Sequence, residues 1–147
     1  MTELNLEIRS AEIGHLTSIS NLLRNAALPN EDIEEFLNTM VVLELDGKII
    51  GCVALELYGN YALLRSLAVD KMQRSKGYGK LLVREIIKLA KSHKVVQLFL
   101  LTETAVKFFP VFGFKKILRE KIPEIVKTSR EFTTFCPVSA VAMTLKL

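Results

Sequence analysis

Arg74, Gly77 and Gly79 stand in the order R-x-x-G-x-G inside "VDKMQRSKGYGKLL" (69–82), with Gln73, Lys76 and Lys80 around them. Glycines let a backbone approach a ligand closely, and N–H groups at a helix start converge on an anion. With side-chain cations added, the pattern suits a pyrophosphate, although a glycine turn before a helix is as often only a turn. Two other phosphate motifs fail. A P-loop needs a glycine at position 74 and a hydroxyl after Lys80, where Leu81 stands. The dinucleotide fingerprint needs a glycine at position 82, which is leucine, and an early βαβ unit.

Glu56 and Arg65 are the second pair with chemical potential. Gly59-Asn60 is a turn signal, and a two-residue hairpin loop there sets Tyr58 opposite Tyr61, Glu56 opposite Leu63 and Ala54 opposite Arg65. Glu56, Leu63 and Arg65 then share one face, whereas a three-residue loop moves Glu56 to the other. A guanidinium at 65 can grip a carboxylate or phosphinate bidentately, or pair with Glu56 across the strands. A carboxylate at 56 can take a proton from an ammonium, face solvent, or serve Arg65. His15 and His93 carry no metal or catalytic spacing.

Positioning these residues requires a mixed α/β chain. A strand is expected at 4–9, then a helix capped by Ser10 with Leu16, Ile19, Leu22, Leu23 and Ala26 on one side. Pro29 and Asn30 open a short second helix, and strands at 41–46 and 48–57 join at Asp46-Gly47. "YALLRSLAVD" follows the Gly59-Asn60 turn. After the glycine stretch, Leu82, Ile86, Leu89 and Ala90 form the apolar stripe of a helix whose other side carries Lys80, Arg84, Lys88 and Lys91. A buried strand at 95–101, a helix at 104–112 ending at Gly113, the strand "FKKIL", a short helix within 123–133 and a final strand at 139–147 complete the order.

The chain has 147 residues, half of them hydrophobic and 24% charged, which fits one domain spanning 1–147 with a real core. No apolar run is long enough to span a membrane, and the N-terminus lacks the pattern of an export signal, so a cytoplasmic protein is expected. Cys52 and Cys136 are read as reduced packing residues. The net charge of +4 fits an anionic partner. Lys115, Lys116, Arg119 and Lys121 have no interleaved aromatics, which argues against a nucleic-acid groove.

"LRSLAVDKMQRSKGYGKLLVREIIKLAK", "LFLLT" and "AVKFFPVFGF" together resemble the GCN5-related N-acetyltransferase (GNAT) superfamily over most of the chain. The resemblance implies a mostly antiparallel sheet splayed around acetyl-CoA, flanked by helices, and direct acetyl transfer without a metal. It assigns Leu67, Ala68 and Val69 to the pantetheine arm, with the Leu67 N–H polarising the thioester carbonyl. It assigns Arg74, Ser75, Lys76, Gly77, Tyr78, Gly79 and Lys80 to the pyrophosphate, and Thr102, Phe108 and Phe109 to further cofactor contacts. It favours Arg65 as a substrate-carboxylate ligand and Glu56 as the general base. Phe109 stands where many members carry the tyrosine that protonates the departing thiolate, so water or Ser139 would have to serve.

"ALELYGNYALLRSLAV", "LFLLTETAVKFFPVFGF" and "REFTTFCPVSAVAM" are similar to the arsenic-resistance N-acetyltransferases. That similarity implies acetylation of the α-amine of a small glutamate-like amino acid such as phosphinothricin. From composition, no nucleic acid or membrane partner is expected, and a homodimer is compatible with the sequence. Alternatives are an acyl-CoA-binding module without catalysis, motivated by Phe109, and acetylation of another small amine or a peptide.

Overall fold

The computed structural model describes residues 5–135 and 139–147; Cys136 lies outside them. Among the described residues, a seven-stranded sheet has the order β1-β2-β3-β4-β5-β7-β6. The strands are β1 (Leu6–Ser10), β2 (Met40–Leu45), β3 (Lys48–Tyr58), β4 (Tyr61–Val69), β5 (Gln97–Thr102), β6 (Lys115–Lys116) and β7 (Val141–Lys146). Two α-helices, α1 (Leu16–Asn25) and α2 (Tyr78–Ser92), flank the strands in sequence. The β4–β5 pair is parallel, whereas β1–β2, β2–β3, β5–β7 and β6–β7 are antiparallel. The mixed, mostly antiparallel architecture is the one expected.

Contacts divide the chain into two compact units. One comprises Met1–Leu55 with Ser66–Leu89, the other Glu56–Arg65 with Ala90–Leu147. In the first, β2 and β3 are apolar at nearly every position because both faces are covered. Ile19, Leu22 and Leu23 of α1 pack with Met40, Val42, Cys52 and Ala54. On the other face, a Cβ at Gly51 would meet Leu82 of α2 at 2.9 Å, so a glycine is what lets that helix close onto the strand. Leu82, Ile86 and Ala90 are buried while Lys80, Arg84, Lys88 and Lys91 are exposed, as their spacing requires. In the second unit, Leu63, Phe99, Ile122, Val126 and Ala142 form a core, with Tyr58, Tyr61 and Phe132 packed against it.

Several local elements differ from the sequence reading. Ser10 does not cap α1; it is the last residue of β1, paired with Val41. The turn into α1 is made instead by Glu12 and His15, whose Nδ1 accepts the Glu12 N–H at 3.0 Å. The second helix is a 3₁₀ segment, Ile33–Thr39, starting after Asp32. Around Pro29 the chain is still turning, for the Leu28 N–H closes back on the Leu23 carbonyl at 2.8 Å. Only Phe109–Phe112 of the expected 104–112 helix is helical. Pro110 lacks the N–H an α-helix would need, and Gly113 ends the turn at φ 99°. "FKKIL" yields the two residues of β6, and the 123–133 helix becomes a 3₁₀ turn, Val126–Thr128, and a π-helical turn, Glu131–Phe135. β5 starts at Gln97, two residues late.

Candidate active site

The glycine stretch lies in the first unit, between β4 and α2. Asp70 anchors its start: its N–H donates to the Ile50 carbonyl at 2.8 Å, and its side chain accepts the Met72 N–H at 2.9 Å. Ile50 is also the extra residue of a bulge between β2 and β3. A 3₁₀ turn at Lys71–Gln73 follows, then two left-handed residues, Ser75 at φ 67° and Gly77 at φ 82°. The Gly77 carbonyl accepts the Leu81 N–H at 3.1 Å, so Gly77 is the residue from which α2 winds. The N–H groups of Tyr78, Gly79 and Lys80 are therefore first-turn donors that the helix cannot use itself. Arg74, Ser75, Lys76, Gly77 and Lys80 are exposed, and Tyr78 and Gly79 half-buried. Three backbone donors at a positive helix end among three cations have the chemistry to hold an anion.

Upstream, β4 contains a feature that alternation did not reveal. Ser66 has φ 58°, a left-handed conformation inside a strand. Its carbonyl accepts the Cys52 thiol at 3.3 Å. The step at Ser66 changes which side chains share a face: Ala68, not Leu67, joins Cys52 and Ala54 in the core, leaving Leu67 and Val69 half-buried. Such a strained serine re-aims the backbone that follows it, the stretch Leu67–Val69.

The hairpin loop is the two-residue Gly59-Asn60, between Tyr58 of β3 and Tyr61 of β4. In the second unit Glu56 and Arg65 accordingly meet: Arg65 Nη1 lies 2.6 Å from Glu56 Oε1. Arg65 is only 3% exposed and Glu56 6%. Three further groups join them. Ser129 Oγ donates to Glu56 Oε1 at 2.7 Å, the Tyr58 hydroxyl donates to Glu56 Oε2, and Glu131 Oε1 lies 3.4 Å from Arg65 Nε. Burial, then the adjacent Glu56 carboxylate, pushes the Tyr58 phenol up to about 12, so it stays protonated. Sequence reasoning missed Tyr58, Ser129 and Glu131. Tyr58 was within reach, two residues beyond Glu56 on the same strand face; Ser129 is separated from Glu56 by most of the second unit, with no local signal.

Thr102, at the end of β5, uses its Oγ1 to accept the Ala105 N–H at 2.9 Å and so shapes the following turn. Phe109 is buried, edge-on to Phe108 at 5.2 Å and to Phe114 at 5.6 Å. It packs as core and has no proton to give. Ser139 is exposed. Cys52 is a buried free thiol, pushed up to about 12 by burial. His15 caps a turn and His93 is exposed, and no group of three or more metal-ligating side chains occurs among the described residues. Nor, among those residues, is any helix long and apolar enough to cross a membrane.

The family description "Acetyltransferase (GNAT) domain" matches residues 37–116. An uncharacterized N-acetyltransferase of Chlorobaculum tepidum is 32% identical over 138 residues, covering 88% of this chain and 86% of that protein. The chain belongs to the GNAT acetyltransferase family. It is an N-acetyltransferase, and acetyl-CoA is the acyl donor of its family. An amino-acid acetyltransferase of Neisseria meningitidis is 28% identical over 131 residues, 83% of this GNAT chain, which spans 30% of that longer protein. In fold, the N-acetylglutamate synthase of Neisseria gonorrhoeae, solved with coenzyme A and N-acetylglutamate, superposes with a TM-score of 0.85. It is 24% identical, and the match covers 99% of this chain and 36% of that one. The GNAT likeness therefore extends over nearly the whole chain in architecture.

Proposed function

We propose that the protein, acting as one acetyltransferase domain in the cytoplasm, transfers acetyl from acetyl-CoA to the α-amine of a small glutamate-like amino acid. The observation that carries this reading is the buried Glu56–Arg65 pair at 2.6 Å, with Arg65 two positions before Leu67 in the strand that leads to the 74–80 loop. The 74–80 loop takes the pyrophosphate of the cofactor, and Leu67–Val69 take its arm. The acceptor's carboxylate, or a phosphinate in its place, is assigned to Arg65. Its ammonium loses a proton to Glu56, directly or through a water. The neutral nitrogen then attacks the thioester carbonyl and a C–N bond forms as the C–S bond breaks; the nitrogen's second proton passes through water to the departing thiolate, giving the amide and free coenzyme A. The relatives named amino-acid acetyltransferases support an amino-acid acceptor. The similarity to the arsenic-resistance N-acetyltransferases narrows it to phosphinic or arsinic analogues of glutamate.

The test is incubation with acetyl-CoA and glutamate, phosphinothricin, methionine sulfoximine, a polyamine or a lysine peptide, following thiol release and product mass. Acetylation of the glutamate-like members is expected. Turnover confined to the polyamine or peptide would overturn the acceptor assignment. A second reading, an acyl-CoA-binding module without catalysis, is favoured by one observation, the burial of Phe109 at the place of the usual acid. Cofactor binding with no thiol release above hydrolysis would select it.

A further inference from the structure

Arg65 already holds two carboxylates, and they are held in different ways. Glu56 stands on the neighbouring strand and receives three donors: Arg65 Nη1 at 2.6 Å, Ser129 Oγ at 2.7 Å and the Tyr58 hydroxyl. Glu131 comes from the irregular segment after Val126, and its contact to Arg65 Nε is 3.4 Å. Charge-assisted N–H···O contacts close to roughly 2.7–2.9 Å when optimal, so the Glu131 contact is the looser of the two. Its side chain is moreover a carboxylate on two methylenes, the same group that a glutamate-like acceptor carries.

We infer that Glu131 is a built-in competitor for the acceptor's carboxylate: it occupies Arg65 in the acceptor-free enzyme and is displaced when an anionic acceptor binds. This role presupposes that Arg65 receives the acceptor's carboxylate, as proposed above. An anion replacing an anion leaves the charge around the buried guanidinium unchanged, while a neutral group taking the same place leaves a buried cation with one partner fewer. Glu131 thus sets the threshold that any acceptor must overcome to reach Arg65, while the guanidinium supplies the preference for an anion. Ser129 sits at the junction, because its Oγ accepts the Glu131 N–H at 3.1 Å while donating to Glu56.

The deciding experiment compares Glu131→Gln with the wild type, measuring KM and kcat for glutamate and for glutamine. Loss of the competing carboxylate should lower the glutamate KM about tenfold, the scale of one lost charge-assisted contact, with kcat little changed. The glutamine KM should fall by a similar factor, because both acceptors displace the same group from Arg65, so the ratio of the two stays close to the wild-type value. An unchanged or raised glutamate KM overturns the role, a rise meaning that Glu131 braces Arg65 or binds the ammonium instead. Arg65→Lys separates the two levels. If it leaves the glutamate KM untouched, the assignment of the carboxylate to Arg65 has failed; if it raises KM while Glu131→Gln does not lower it, only the competitor role has. Should Glu131→Gln not fold, hydrogen exchange of the wild-type 129–135 amides decides. Saturating glutamate with coenzyme A should speed exchange there, and slower exchange contradicts displacement.

Discussion

The loop at 74–80 and the cluster around Arg65 are both built on cationic side chains, and they are built in opposite ways. The loop is exposed, its conformation set by two left-handed residues and a helix start, and its cations lie in water. The cluster is buried, and its one cation is neutralised by carboxylates from a neighbouring strand and a distant segment. An exposed set of cations can add to the affinity for an anion charge by charge, without the fold depending on any one of them. A buried guanidinium is structural first, because its removal strands the charges around it. The same residue type therefore carries different consequences in the two places.

The largest contrast should come from arginine deletion. Arg65→Ala leaves Glu56 and Glu131 buried without their counter-ion, and breaking such a pair costs about 3–5 kcal/mol. Out of a total of about 5–15 kcal/mol, that is severe. Arg74→Ala in the exposed loop should stay within about 0.5 kcal/mol. Urea unfolding of the two variants checks this directly, and equal stabilities would mean that the Arg65 cluster is not the closed unit described here. A fold-damaged Arg65→Ala is also a poor probe of substrate binding; Arg65→Lys keeps the charge while removing the fork.

Next in size is the chemical step. If Glu56 accepts the acceptor's proton, Glu56→Gln should lower kcat by about a hundred- to ten-thousand-fold, with coenzyme A affinity retained. Isothermal titration with coenzyme A beside steady-state kinetics separates the two readouts. A loss of kcat below tenfold would leave Glu56 as a brace for Arg65 and nothing more.

The cradle should respond more mildly. Gly77 sits at φ 82°, and a Cβ there would meet nothing within 4 Å, so Gly77→Ala carries only the cost of a left-handed backbone. That cost is roughly 1–2 kcal/mol, and the loop can relieve it by losing its shape. Coenzyme A affinity should fall about tenfold while the acceptor KM holds. Arg74→Ala should weaken coenzyme A less, with the difference shrinking as salt rises.

How far each region could be read in advance follows from the same contrast. The cradle is local: its glycines, cations and helix start lie within ten residues, and "QRSKGYGK" contains the whole of it. The meeting of Glu56 and Arg65 depends on one variable, the loop length at Gly59-Asn60, which the sequence leaves between two and three residues and the structure sets at two. Ser66 is harder, because a left-handed serine inside a strand has no sequence mark when the residues around it alternate normally. Ser129 and Glu131 were out of reach. A short helix is expected over their segment, and nothing in it signals a meeting with Arg65; its 3₁₀ and π turns form where Ile122, Val126 and Phe132 pack into the second unit's core. The expected helix over 104–112 failed for a readable reason, Pro110 in its interior.

The smallest effect expected is on alkaline stability, and it again divides buried from exposed groups. Burial pushes the Cys52 thiol from 9.0 up to about 12, and burial with Glu56 pushes the Tyr58 phenol from 10.0 up to about 12. Both groups keep their protons in the folded state at pH values where the unfolded chain has lost them. Between about pH 9 and 12 the unfolded state thus binds fewer protons, and stability, fully present below pH 9, falls as pH rises. The fully buried Cys52 should dominate, and the half-buried Tyr58 adds a smaller share above pH 10. Melting temperatures of wild type and Tyr58→Phe across this range should show a shallower decline in the variant above pH 10. In a Cys136→Ser background, a thiol reagent at pH 8 should leave Cys52 unmodified until denaturant opens the first unit. Rapid labelling without denaturant would show that the pairing of β2, β3 and β4 around that thiol opens far more readily than its complete burial requires.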